Sequence, residues 1–293
     1  MDIKQLMYFQ EVAELGSFTR AAEKLHIAQP AISKAIKNLE NELDCMLFIR
    51  EKRHVYLTAE GRILKKHADQ LIKGFERAKN ELQDVKAGIL GTVQLGLPSM
   101  VGSYYFPEKL ARFKKKNPSF AIDLYEAGST DLGEAIIDGE MEMGTVVVSE
   151  GMNDMLQIHP FLEEPLMLVV PPNHHLAEKR SVPLSQLAHE PLILFKEGYY
   201  QRKVIEEAGE LAGQSPKIAF ETNQISMAKS LTARGFGVSV FLKMVVPEKE
   251  EDLVAIPFDP PIVLTLGIAH KKNVPLSPAN KAFLNFLMDE TTR

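Results

Sequence analysis

The sequence has a single cysteine, Cys45, among its 293 residues. That excludes an internal disulfide and a multi-cysteine metal cage, and leaves a small buried hydrophobe as its expected role. No run of apolar residues approaches the roughly 18 needed for a membrane span. The first residues, MDIKQLMYFQEVAE, lack the basic-then-apolar layout of a signal peptide, so the cytoplasm is the expected location. Internal repeats, low-complexity tracts and disordered linkers are absent too, as are a nucleophile elbow, a phosphate-binding loop, a GxGxxG turn and an HExxH pair. The pair His174-His175 invites a metal reading, but adjacent residues do not share a helix face, and PPNHHLA reads as an exposed turn. No catalytic residue, metal or cofactor is therefore expected.

What is present is a chain long enough for two or three domains, 45% hydrophobic and 25% charged. Its formal net charge is -5, but the basic share sits at one end: residues 1–90 carry 15 Lys+Arg against 13 Asp+Glu, and the rest 19 against 26. That split points weakly toward a nucleic-acid partner for the N-terminal part.

Leu6, Phe9 and Ala13 stand at helical spacing, and Ser17 precedes Phe18, Ala21, Ala22 and Leu25 as the N-cap of a second short helix. HIAQP breaks the pattern, and Pro30 at a first helical position opens a third helix. Its apolar stripe is Ile32, Ile36, Leu39 and Leu43. Gln29, Ala31, Ser33, Lys34 and Lys37 face the other way, forming a small, polar and basic face. Such a helix, leaning on a short one across a tight turn, is suited to the major groove of B-DNA; the competing reading is a helical hairpin inside an all-α domain. LFIREKRHVYLT follows as a short hairpin with Arg50, Lys52, Arg53 and His54 near its tip, a basic wing able to touch phosphates.

From Thr58 a heptad pattern takes over. Leu64, Leu71, Ala78 and Val85 are seven apart, with Ala68, Phe75, Leu82 and Ile89 four after each. This predicts a helix of about 30 residues, roughly 45 Å long, that wants a partner helix. A dimer along this seam would supply the two-fold symmetry that major-groove readers use. After Gly88 and Gly91 the pattern becomes α/β: TVQLGLP, FAIDLYEA, MGTVVV, EEPLMLVVPP, EPLILF, FGVSVF and IVLTLGIAH read as strands. Ser99–Lys116, Thr130–Asp138, SMAKSLTARG and a last helix opened by Ser277 and Pro278 stand among them.

The residues FQEVAELGSFTRAAEKLHIAQPAISKAIKNLENEL, then LFIREKRHVYLTAEG, then the long helix, resemble the LysR-type transcriptional regulators, and the resemblance in layout runs the full chain. Within that family the chain looks like a Bacillus-type subgroup linked to carbon overflow and cell-death genes. The resemblance implies a winged helix-turn-helix domain at 1–58, a linker helix at 59–88 and an effector domain at 89–293. That domain would be similar to a type II periplasmic binding protein, with lobe 1 at about 91–161 and 267–293 and lobe 2 at about 162–266. It also implies a homodimer that pairs into a tetramer, binding double-stranded promoter DNA where RNA polymerase would be met. Carried across, it gives base or backbone contacts to Gln29, Pro30, Ser33 and Lys34, and phosphate contacts to Lys37, Arg50 and Arg53. Two positions depart from the family pattern: Ala28 stands where Ser or Thr is usual, and Asp44 where Gly is usual. The seam falls to Leu64, Leu71, Phe75, Ala78, Leu82 and Val85.

Three strand-to-helix junctions are rich in hydroxyls and backbone N–H groups, which suits a small organic acid. They hold Ser99, Met100 and Ser103; Ser129 and Thr130; and Thr222, Asn223 and Gln224. The same residues also read as plain N-caps. Two rival functions remain, an enzyme or a free-standing solute-binding protein built on the α/β half.

Overall fold

The computed structural model describes residues 1–51, 54–86, 91–149, 154–211, 216–247 and 250–291, and the chain divides into two compact units, Met1–Lys86 and Ala87–Arg293.

In the N-terminal unit, helix α1 (Ile3–Leu15) opens with a capping box: the Asp2 carboxylate accepts from the Gln5 N–H, and the Gln5 side chain accepts from the Asp2 N–H, both at 2.8 Å. Helix α2 (Phe18–Lys24) is capped by Ser17, whose Oγ accepts from the Arg20 N–H at 3.3 Å. Helix α3 (Gln29–Leu43) starts one residue before the expected Pro30, which takes the second position, where an N–H is still unpaired. Ala28 gives it no side-chain cap, and Asp44 ends it in the left-handed conformation with φ 50°.

The α3 stripe buries Ile32, Ile36 and Leu39, but Leu43 is exposed. Glu40 takes the inward place instead. Its carboxylate accepts from the N–H groups of Leu47 at 2.9 Å and Phe48 at 3.3 Å, where the chain enters the hairpin. Strands β1 (Phe48–Glu51) and β2 (His54–Leu57) pair antiparallel from Phe48↔Leu57 to Glu51↔His54. Arg53, with Lys52, lies outside the described residues, as does the side chain of Arg50.

Helix α4 (Ala59–Lys86) divides the expected seam. Ala68 and Ile72 are buried and Leu64 is packed with them against the N-terminal core, while the Gln10 amide on α1 donates to Asp69 at 2.8 Å. Leu64 therefore serves the chain's own core. Leu71 and Phe75 are about half exposed, at 50% and 49%, and Ala78 and Leu82 are exposed. The outward stripe thus begins at Leu71 with 4-3-4 spacing; the side chain of Val85 and Ile89 lie outside the described residues.

The C-terminal unit is built on a nine-stranded sheet. Its elements are β3 (Thr92–Leu97), α5 (Ser99–Tyr104), α6 (Phe106–Lys116), β4 (Ala121–Glu126), α7 (Ser129–Ile137), β5 (Met143–Val147), β6 (Leu156–Val170) and β7 (Pro191–Leu194). They continue with α8 (Tyr200–Leu211), β8 (Lys217–Glu221), α9 (Ile225–Ala233), β9 (Val238–Leu242), β10 (Val254–Pro257), β11 (Val263–Lys271) and α10 (Pro278–Thr291). The sheet runs β4-β3-β5-β11-β6-β9-β7-β8, with β10 also paired to β6. One helix expected from Ser99 to Lys116 is two, broken at Tyr105, because Pro107 has no N–H to continue the ladder and its ring crowds the preceding turn.

The sheet has two wings joined by β6 and β11. The first half of β11, Val263–Leu266, pairs antiparallel with Pro165 to Leu162, and its second half pairs with Pro160 to Leu156, a register shift between Leu266 and Gly267 setting Phe161 out of the ladder. β5 is buried along its whole length, as befits a strand covered on both faces.

A pair of neighbouring α4 substitutions checks the divided seam. Ile72→Glu should place a carboxylate against the core and lower the stability of the N-terminal unit by about 3 kcal/mol. Leu71→Glu, compared with the parent at a dilution where both are monomeric, should stay within about 0.5 kcal/mol. Urea unfolding followed by circular dichroism measures both. Equal losses would mean that the Leu71 face is packed within the chain.

Candidate functional site

The outer face of α3 presents Pro30, Lys34 and Lys37 at i, i+4 and i+7, all exposed, with Ala31 beside them. Gln29 and Ser33 are partly buried and joined, the Gln29 amide donating to Ser33 Oγ at 2.8 Å. Gln29, Pro30, Ser33, Lys34 and Lys37 are thus on one helix. No carboxylate among the described residues pairs with Lys34 or Lys37, whereas Lys24 on α2 is held by Glu11 at 2.6 Å. That bond raises the Lys24 pKa above the ordinary lysine value, against a smaller opposing effect of burial. The α3 lysines therefore remain available for an external anion. Arg20, exposed on the neighbouring α2, was not singled out from the sequence; its position just after the Ser17 cap is what marks it.

In the C-terminal unit a narrow cleft with about 20 Å³ of enclosed room opens between the two wings of the sheet. Met100 and Val101 from α5, Ser129 from α7, Tyr199 and Gln201 at the start of α8, and Leu242, Leu264 and Leu266 line it. Ser99 Oγ and Gln201 Nε2 are buried without a hydrogen-bond partner. Burial raises the Tyr199 pKa above the ordinary tyrosine value, the Ser99 hydroxyl partly offsets that rise, and Glu126 and Asp131 add to it. Ser99 Oγ thus lies near the Tyr199 oxygen without meeting hydrogen-bond geometry. The phenol stays protonated, hence a donor, at neutral pH.

The three junctions do not converge. Met100 and Ser129 reach the cavity, with Ser99 beside them, while Ser103 and Thr130 are exposed. Thr222 Oγ1 accepts the Gln224 N–H at 3.1 Å and Asn223 accepts the Lys196 N–H at 3.0 Å, so Thr222, Asn223 and Gln224 form a local turn apart from the cavity lining. Nor is the start of α7 fully open to an anion: its Thr130 N–H donates to Gly198 O at 3.2 Å. Tyr199 and Gln201, missed in the sequence, follow Gly198 in EGYYQ, and the glycine before an aromatic and an amide was the available signal.

That Thr130–Gly198 bond crosses the cleft. A Cβ on Gly128 would stand 2.0 Å from Gly198 O, so the two loops touch backbone to backbone only because residue 128 is glycine. Gly198 itself has φ +90°.

A winged helix-turn-helix with an open basic helix face, in one chain with a two-winged α/β unit enclosing a small cavity, defines a ligand-responsive DNA-binding regulator. The chain belongs to the LysR family of bacterial transcriptional regulators: residues 3–62 match the bacterial regulatory helix-turn-helix protein, lysR family, and residues 86–292 match the LysR substrate binding domain. It is 37% identical over 288 residues to the HTH-type transcriptional regulator YwbI of Bacillus subtilis, covering 97% of this chain and 95% of that protein. To the transcriptional dual regulator GltC of Bacillus subtilis it is 31% identical, covering 98% and 97%. The crystal structure of CbnR, a LysR family transcriptional regulator, shares the fold, with a TM-score of 0.72, 22% identity and 99% of each chain covered. Among the described residues no helix is long and apolar enough to cross a membrane.

Gly128→Ala should hold the cleft open. The expected outcome is at least tenfold faster hydrogen exchange at the Thr130 amide, with the distant Glu40-bonded amides of Leu47 and Phe48 unchanged. Unaltered exchange at Thr130 would mean that the loops do not seal the cleft.

Proposed function

We propose that the protein binds promoter DNA as a homo-oligomer and changes its regulatory output when a small organic acid enters the cleft. The domains on this reading are 1–58 for DNA, 59–88 for dimerisation and 89–293 for the effector, the last with lobes at about 91–161 plus 267–293 and 162–266. Gln29, Pro30, Ser33 and Lys34 read the groove, while Lys37, Arg50 and Arg53 hold phosphates. RNA polymerase is the further partner at the promoter. The observation that carries this reading is the outer face of α3, where exposed Lys34 and Lys37 have no carboxylate partner among the described residues. A full-length CbnR has been crystallised with its target DNA, and CbnR shares this fold.

Self-association falls to the outward stripe Leu71, Phe75, Ala78 and Leu82 on α4, supported by the exposure of those four side chains in the single chain. An apolar row of that spacing is stabilised by a facing helix. Leu71→Glu should turn the oligomer into monomer by light scattering at low micromolar concentration. A persistent dimer would remove the stripe from the interface.

For DNA, Lys34→Ala should weaken binding to the specific promoter site more than to random DNA, by about 1–3 kcal/mol of discrimination, in a gel-shift titration. Equal losses on both would reduce Lys34 to a phosphate contact.

An effector rich in acceptor oxygens is supported by the Gln201 amide and the Ser99 hydroxyl, buried without partners, and by the protonated Tyr199. The aliphatic lining from Val101, Leu242, Leu264 and Leu266 limits the rest of the ligand to a short apolar body. The Thr130 N–H at the start of α7 already donates to Gly198 O, which favours these side chains over that helix start as partners of the carboxylate. In a thermal-shift series of small carboxylic acids beside their neutral amides, the acid should raise the melting temperature more. Gln201→Leu should weaken the acid roughly tenfold to a hundredfold, the worth of one hydrogen bond to a charged acceptor. Tighter binding of the amide would assign the cleft to a neutral effector.

A further inference from the structure

His174, His175 and Glu190 lie outside both the α3 face and the effector cleft. Pro171 ends the crossover strand β6, and the turn after it is closed by the His174 N–H donating to Pro171 O at 3.0 Å and by the Ala177 N–H donating to His174 O at 2.9 Å. Glu190 caps a 3-10 turn, Leu184–His189, and immediately precedes β7. Its side chain is buried, at 7% exposure, and the groups that approach it among the described residues are the two imidazoles and the Gln186 amide. In a helix the side chains of neighbouring residues diverge, but this is a turn, and it aims both rings at one carboxylate.

The distances suit a ligand set as well as an ion pair. His175 Nε2 stands 3.2 Å from Glu190 Oε1, and His174 Nε2 stands 3.5 Å from Oε2. A charge-assisted hydrogen bond draws its atoms to about 2.7–2.9 Å. Two ligands held about 2.05 Å from a tetrahedral ion stand about 3.3 Å apart instead. The ligand atoms of all three residues lie within 4.8 Å of one another, and the imidazole rings are tilted by 36° with centroids 4.4 Å apart. The Gln186 amide donates to Oε1 at 3.0 Å and fixes the carboxylate from behind, as the outer partners of a metal ligand do.

We propose that His174, His175 and Glu190 form a three-ligand site for a divalent transition-metal ion of the zinc class. Two imidazoles with one carboxylate favour zinc, nickel or copper over magnesium or calcium, which prefer all-oxygen shells. His175 is 63% exposed, so the fourth position is open to water. Loading requires one rearrangement: the proton on His174 Nε2 is displaced, and the 3.3 Å hydrogen bond that His174 Nδ1 accepts from the Leu176 N–H gives way as that nitrogen takes up a proton. A bound ion would staple the turn after β6 to the start of β7.

The test uses tag-free full-length protein stripped with a chelator and titrated with Zn²⁺, with Co²⁺ as a spectroscopic probe of four-coordination. One Zn²⁺ per chain should bind with a Kd below about 10 μM, raise the melting temperature, and resist a large excess of Mg²⁺. His175→Ala, an exposed position that leaves the fold intact, should weaken binding at least tenfold, and Glu190→Gln should do the same. His67→Ala, at an exposed histidine on α4, should bind as the parent does. Absence of saturable binding in the parent, undiminished binding in His175→Ala, or a loss in His67→Ala would each overturn the proposal.

Discussion

Strands β6 and β11 hydrogen-bond to one another on both sides of a register shift, and each extends into both wings of the sheet. Leu156–Pro160 of β6 lies on the β5 side, whereas Leu166–Val169 pairs with β9 and Met167–Val170 with β10. The wings therefore share one continuous ladder and cannot separate without twisting it. Leu264 and Leu266 of β11 line the cavity as they pass. The loops at Gly128 and Gly198 approach backbone to backbone beside the lining residues Ser129 and Tyr199.

Most buried polar groups in the chain are consumed by architecture. Glu40 holds the entry to the wing, and the Ser239 hydroxyl on β9 donates to Thr232 Oγ1 on α9 at 2.7 Å while Thr232 donates to Ala228 O. Asn280 accepts from the Gln94 N–H at 2.8 Å and donates to Glu142 at 2.7 Å, fixing α10 on β3. Arg202 is bound by Glu206, Glu221 and Phe195 O, and is thereby withdrawn from ligand chemistry although it sits one residue from Gln201. Against that background the Gln201 amide in the cleft lining and the Ser99 hydroxyl next to Met100 are left without partners, as is Thr145 on β5, and a buried donor left unmade costs free energy unless something external completes it.

Much of the fold was legible because its signals are local. The Ser17 cap, the α3 stripe, the wing, the buried β5 and the helix opened by Pro278 depend on periodicity and capping within a few residues. Where local reasoning went astray, a long-range contact had intervened. Leu43 was expected inward, but Glu40 answers the backbone of Leu47 and Phe48. Leu64 and Ala68 continue a heptad on paper, yet α1 occupies that face of α4. The junction at Thr222 has the same composition as that at Ser99, but its polar groups satisfy one another.

The sequence by itself determined the class of most elements, though α8, β8 and β10 went unread, together with the basic outer face of α3 and the family, because helical and strand periodicities and the helix-turn-helix motif are written in consecutive residues. Only the tertiary structure decided which apolar side chains turn inward, that Tyr199 and Gln201 meet Met100 and Ser129 at one cavity, and that two histidines and a glutamate fifteen residues apart come together. Each of these depends on where a distant segment lies when the wings assemble. Spacing along the chain constrains a neighbour three or four residues away, but not a partner brought across a sheet.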